Sequence, residues 1–140
     1  MFTAKVYRVL VKSVGNTHEE NHIALKALED WNANQGEEKG KVFIPVKPTN
    51  GQCPLPEVDV LIGIVGSFIT NPEFFQAYVD AEKKVLLFFN TVHDADNSMR
   101  SEVQEVDAFR EQMVESRCTC LSYNGDADFA KALFGCICSI

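Results

Sequence analysis

The residues best suited to chemistry lie in three short stretches. Thr70-Asn71-Pro72-Glu73 sets a carboxylate three positions after a hydroxyl, where Asn71-Pro72 signals a helix start. A carboxylate so placed can stabilise an oxocarbenium-like sugar cation or attack its anomeric carbon. It is also the residue that a helix dipole favours in any first turn. Ser13-Val14-Gly15-Asn16-Thr17 brings hydroxyls and backbone N–H groups to another helix start, a setting that can hold a phosphate. The same stretch reads as an ordinary capped helix. Thr17-His18-Glu19-Glu20 has the capping-box form, with the Thr17 hydroxyl accepting the third backbone N–H and Glu20 reaching back. The third stretch, Asn90–Asn97, is a polar loop in which Asn90 and His93, beside Asp94 and Asp96, can orient a ligand.

Other groups point less clearly to a site. Cys118-x-Cys120 and Cys136-x-Cys138 could together supply four zinc ligands, but they lack the Cys-x2-Cys spacing of zinc knuckles. Free thiols in the core are the simpler reading. His18 and His22 stand four apart on one helix face without a zincin glutamate, and read as solvated imidazoles. No metal site is expected. A prenylation box needs cysteine fourth from the end, where this chain has Ile137.

The elements that must position these groups follow from hydropathy. Val6–Val11, Val42-Phe43-Ile44, Val58–Val65, Lys84–Phe89 and Cys118–Tyr123 read as strands, mostly apolar throughout rather than alternating. Ile23, Ala24, Ala27, Leu28 and Trp31 recur at helical spacing, in a helix expected to fade at Asn32–Gly36. Phe74, Phe75, Tyr78 and Val79 mark a second helix. Ser98–Arg117 reads as a long amphipathic third, and Phe129, Ala130, Leu133 and Phe134 mark a last one. Pro45–Glu57 is turn chemistry where a helix usually joins the second and third strands.

Strands buried on both faces and alternating with helices imply an α/β fold. The expected architecture is three-layered and doubly wound. Its five-stranded parallel sheet has the order 2-1-3-4-5, with helices on both faces, in a single domain over residues 1–140. Ligands in such a fold bind beyond the carboxyl ends of the strands, at the switch between the first and third. The loops Lys12–Thr17, Gly66–Glu73 and Asn90–Asn97 therefore frame the expected site, and Ser67 and Thr70 would line it.

Composition narrows the partners. The chain has 140 residues, 46% hydrophobic and 24% charged, with a net charge of −7, so broad cationic binding to duplex nucleic acid or to an anionic membrane is not expected. A small anionic ligand in a local pocket remains compatible with that charge. Val58–Ile64 and Val85–Phe89 are far shorter than a membrane span. The residues Met1–Lys5 lack an apolar signal region, and five cysteines are an odd number. Together these features lead us to expect a cytoplasmic protein with free thiols.

Several segments, in order along nearly the whole chain, carry a family resemblance. They are Tyr7-Arg8-Val9-Leu10-Val11, Leu28-Glu29-Asp30-Trp31-Asn32, Glu38–Val46, Asp59-Val60-Leu61-Ile62-Gly63-Ile64, Lys84–Phe89 and Phe109-Arg110-Glu111. The chain resembles the TIR-like branch of the nucleoside 2-deoxyribosyltransferase superfamily, whose domains often occur in bacterial signalling and defence proteins. The resemblance implies a flavodoxin-like sheet and a nucleotide or nucleoside pocket, completed in some relatives by a neighbouring subunit. Active members cleave or exchange N-glycosidic bonds in NAD or nucleosides, with a glutamate after the third strand in a Gly-Thr-x-x-Glu pattern. Here that segment is Ile69-Thr70-Asn71-Pro72-Glu73. The resemblance implies Glu73 as the catalytic carboxylate, Ser13 and Asn16 as holders of ribose or phosphate, and no resident cofactor. The rival within this reading is a non-catalytic module for a nucleotide signal or a protein partner.

A second resemblance competes. Ser13-Val14-Gly15-Asn16-Thr17 is similar to the Thr-Gly-Asn-Thr phosphate loop of flavodoxins. It implies the same topology with flavin mononucleotide (FMN) as cofactor, Phe68 as the aromatic of the third-strand loop and His93 as the nearest ring in the next.

Overall fold

A computed structural model describes residues 4–46, 57–90, 100–116 and 118–140, the side chains of 100–103 excepted. The elements are β1 (Lys5–Val14), α1 (His18–Trp31), a π-helical stretch (Asn32–Gly36), α2 (Glu37–Lys39), β2 (Lys41–Pro45), β3 (Val60–Val65), α3 (Pro72–Asp80), β4 (Lys84–Asn90), α4 (Arg100–Glu115), β5 (Thr119–Tyr123) and α5 (Asp126–Ser139). The strands form one parallel sheet in the order β2-β1-β3-β4-β5, the doubly wound arrangement that the apolar strands predict.

Alternation along the strands divides the core in two. Val9, Ile62, Ile64, Leu86 and Phe88 face α1 and α5, where Ala24, Leu28, Trp31, Phe129, Leu133 and Ile137 meet them. Leu10, Leu61, Val65, Leu87 and Phe89 face α3 and α4, against Phe75, Tyr78, Val106, Phe109 and Met113. Gly63 belongs to the second face. A Cβ there would lie 2.6 Å from a Leu87 methyl and 2.7 Å from the Phe75 ring, so its absence lets α3 sit close to the sheet.

Three local expectations are corrected. The first helix does not fade at Asn32–Gly36 but continues through the π turn to Lys39. The Asn32 amide explains this: it donates to the Phe43 carbonyl at 2.7 Å and accepts the Phe43 N–H at 2.8 Å, pairing the helix end with the outer strand. Gly40, at φ 67°, then ends the helical run. Second, β1 continues three residues past Val11, because β3 pairs with it as far as Val14 against Val65. Ser13 is therefore a strand residue, and the loop to α1 shrinks to Gly15–Thr17. Third, the first four residues of β1, Lys5 to Arg8, are not buried. Val6, and Ile44 of β2 beside Arg8, are 49% and 46% exposed. They lie on the same face as Arg8, which pairs with Asp59 at 3.4 Å. The Arg8 backbone N–H also donates to Asp59 at 2.8 Å and holds that carboxyl below the usual range.

Candidate functional site

The β1 and β3 loops meet backbone to backbone at the carboxyl edge of the sheet. Gly66 N–H donates to the Val14 carbonyl and Ser67 N–H to the Gly15 carbonyl, each at 3.0 Å. Glycine is required on both sides. A Cβ on Gly66 would come within 2.0 Å of the Gly15 carbonyl oxygen, and one on Gly15 within 2.3 Å of the Phe68 carbonyl oxygen. Gly15 and Asn16 are both left-handed, at φ 74° and 64°, and turn the chain sharply into α1. The Asn16 amide reaches the Ser67 hydroxyl at 3.5 Å across the junction.

The expected capping box does not form. Thr17 stands at the N-cap, but its side chain caps nothing. Its hydroxyl is buried and donates to the Val14 carbonyl at 3.1 Å, with the Ile64 carbonyl at 3.4 Å. The Val14 carbonyl, which already accepts Gly66 N–H, takes the hydroxyl as a second donor, and the inward rotamer leaves the buried hydroxyl paired. Glu20 does not reach back either. It is buried and accepts the Tyr123 hydroxyl at 2.5 Å, linking α1 to the carboxyl end of β5. Burial first, and then this contact with Glu20, push the Tyr123 phenol far above its ordinary value. Sequence reasoning missed both members of this pair. A glutamate in a first turn reads as a surface residue, and only the sheet order brings Tyr123 beneath it. The first turn of α1 is thus left without a side-chain cap.

The remaining site residues fall into two groups. Ser13 points toward α1 and accepts the Asn21 amide at 3.1 Å. Lys12 points to the opposite face, with its ammonium 5.3 Å from the Phe74 ring centre. Ser67 and Phe68 are half-buried beside Gly15, so Ser13, Gly15, Asn16, Thr17 and Ser67 are brought together. Asn90 is half-buried at the end of β4, level with Tyr123. His93 lies outside the described residues.

Thr70 and Glu73 are exposed on the other side of the junction. Asn71, expected as a capping residue, is left-handed at φ 50° and makes no side-chain cap, while Pro72 occupies the first turn as expected. Glu73 lines a groove of about 340 Å³ with Gln76, Ala77, Asp80 and Gln112, between the outer faces of α3 and α4. The Gln112 amide donates a hydrogen bond of 2.8 Å to the Gln76 amide oxygen and ties the two helices there.

The cysteine pairs do not converge. Cys118 and Cys120 pack on the α3/α4 side and Cys136 on the α1/α5 side. Burial raises all three thiols, Cys120 to about 11, away from the thiolate form. Among the described residues, no group of three or more His, Cys, Asp or Glu side chains could hold a metal ion. No helix among them is long and apolar enough to cross a membrane.

No known protein-family model matches the chain, and no curated relative does. Solved structures do. A short-chain flavodoxin associated with a non-canonical PDU bacterial microcompartment matches over 99% of both chains, at 14% identity and a TM-score of 0.50. Homoserine dehydrogenase of S. aureus matches 85% of this chain at 9% identity and a TM-score of 0.51, and this chain spans about a third (33%) of that enzyme. A flavodiiron protein from Giardia intestinalis superposes more loosely, at 10% identity over 94% of this chain and 34% of its own, with a TM-score of 0.39. At these identities the likeness is one of fold: a flavodoxin-like α/β sheet matched end to end.

Proposed function

We propose that this domain binds the phosphate end of a mononucleotide at the β1–α1 loop, with FMN the first ligand to test. The observation that carries the reading is the uncapped start of α1. Two left-handed residues deliver the chain to a helix whose first-turn N–H groups meet no side chain among the described residues. Such groups, with the positive end of the helix dipole, favour an anion. The two acidic residues of that turn weigh against it, but Glu20 is turned inward onto Tyr123. The Gly15–Thr17 backbone would hold the phosphate. Ser67 and Asn16 would meet the sugar or ribityl hydroxyls, and Phe68 would supply a face for a flat ring. The full-length likeness in fold to a flavodoxin supports FMN over other mononucleotides. Thr17 departs from this role, since its hydroxyl is spent on strand carbonyls.

Melting the purified chain with FMN, AMP and riboflavin tests this reading. A ligand at one hundred times its dissociation constant adds about 2.7 kcal/mol, a rise of several degrees for a chain of this length. FMN or AMP should give that rise and riboflavin, which lacks the phosphate, should not. No rise with either phosphate-bearing ligand overturns the proposal.

A second reading keeps N-glycosidic cleavage, in the manner of the TIR-like deoxyribosyltransferase superfamily. What favours it is the position of Glu73 in the first turn of the helix that follows β3. NAD or a nucleoside would then be the substrate. Turnover by the native chain, lost in Glu73→Gln, supports this reading. Equal turnover by both proteins, or none, removes it.

A further inference from the structure

We propose that His18 and His22 form a two-point chelate for a divalent transition-metal ion of the nickel(II) or copper(II) type. The residues lie on successive turns of α1, and their Nε2 atoms approach to 3.1 Å with the rings nearly perpendicular, at 84°. Both imidazoles are exposed, and each is the other's contact. Two imidazole nitrogens cannot face each other at this distance with both lone pairs directed inward. The arrangement needs a proton or a cation between them.

The distance also selects the cation. An ion about 2.1 Å from both nitrogens, as imidazole ligation requires, would see them at an angle of about 95° given their 3.1 Å separation. That is close to the right angle of square-planar and tetragonal ions and short of the tetrahedral angle zinc prefers. Imidazole suits nickel and copper, and the affinity order of divalent ions peaks at copper. Water would fill the remaining positions, since no third metal-ligating side chain joins the pair among the described residues. The site is independent of the nucleotide reading, because its assay contains metal alone.

Nickel chloride is the probe, because copper(II) would oxidise the exposed Cys138 thiol. The untagged full chain, held reduced by a phosphine, is titrated calorimetrically and passed over immobilised nickel. One equivalent should bind the native protein, and His22→Gln should weaken binding at least tenfold. His22→Gln with Lys26→His keeps three histidines but sets the helical pair two turns apart, and it should stay weak. His93→Gln should bind as the native chain does. Circular dichroism checks that each variant folds, which surface positions permit. The proposal fails if the native chain shows no saturable nickel binding, if His22→Gln or the displaced pair binds equally well, or if His93→Gln abolishes binding.

Discussion

Two helices begin beside the switch in strand order, α1 after β1 and α3 after β3, and they start in different ways. Neither has a side-chain cap. At α3, Pro72 has removed one N–H, the Phe74 N–H is taken by the Asn71 carbonyl at 3.0 Å, and exposed Glu73 places negative charge in the first turn. At α1 no proline intervenes, Thr17 has turned its oxygen inward, and one acidic side chain is withdrawn beneath the sheet's end. Each start keeps one exposed glutamate, Glu19 at α1 and Glu73 at α3, so what separates them is the N–H groups that α3 has lost to Pro72 or spent on Asn71, and this is why we place the anion at α1. A carboxylate in a suggestive sequence position is therefore weaker guidance than the account of which N–H groups are already spent.

The largest effect should come where the two loops cross. Gly66→Ala would drive a methyl into the Gly15 carbonyl, 2.0 Å away, and should cost about 3 kcal/mol or more in urea unfolding, or prevent folding. A loss below ~1 kcal/mol would show that the loops are not locked together. Next is Tyr123→Phe, which leaves the buried Glu20 carboxylate without its donor and should cost about 2–3 kcal/mol near neutral pH. The native Tyr123 keeps its proton above the ordinary value of 10.0, while the unfolded chain loses it there. Its contribution is therefore complete below about pH 10 and falls as pH rises beyond it. In the variant this part of the alkaline loss should vanish. The part due to the raised thiols, which starts near their ordinary value of 9.0, should remain.

These predictions rest on parts of the molecule that differ in how far the sequence discloses them. The parallel sheet and its order were legible because β3 and β4 are apolar at nearly every position, a pattern that only a doubly covered strand sustains. Pro72 marked the start of α3 because its missing N–H costs nothing there. The roles of Thr17 and Glu20 were not legible. Their spacing satisfies the capping box as well as any, and what overrides it are carbonyls at the ends of β1 and β3 and a tyrosine over one hundred residues away. Asn32 misled for the same reason: local propensity ends the helix, and a long-range pairing with Phe43 continues it.

Smaller effects sharpen the contrast between the two helix starts. Thr17→Val keeps the shape of the side chain and removes its bonds to Val14 and Ile64, so it should cost about 1 kcal/mol in the same unfolding assay. Glu73→Gln alters an exposed side chain, and should change stability by no more than ~0.5 kcal/mol and leave mononucleotide binding unchanged.

The most direct test of the account is calorimetric titration of FMN and AMP into the native chain and into Asn16→Asp. Aspartate tolerates the left-handed conformation of Asn16 at φ 64°, so the substitution adds one negative charge to the loop with little change of shape. The account predicts saturable binding of at least one of the two ligands to the native chain, and about a tenfold or greater loss in Asn16→Asp through repulsion of the phosphate. Equal affinity in both proteins, or no binding by the native chain, would contradict it.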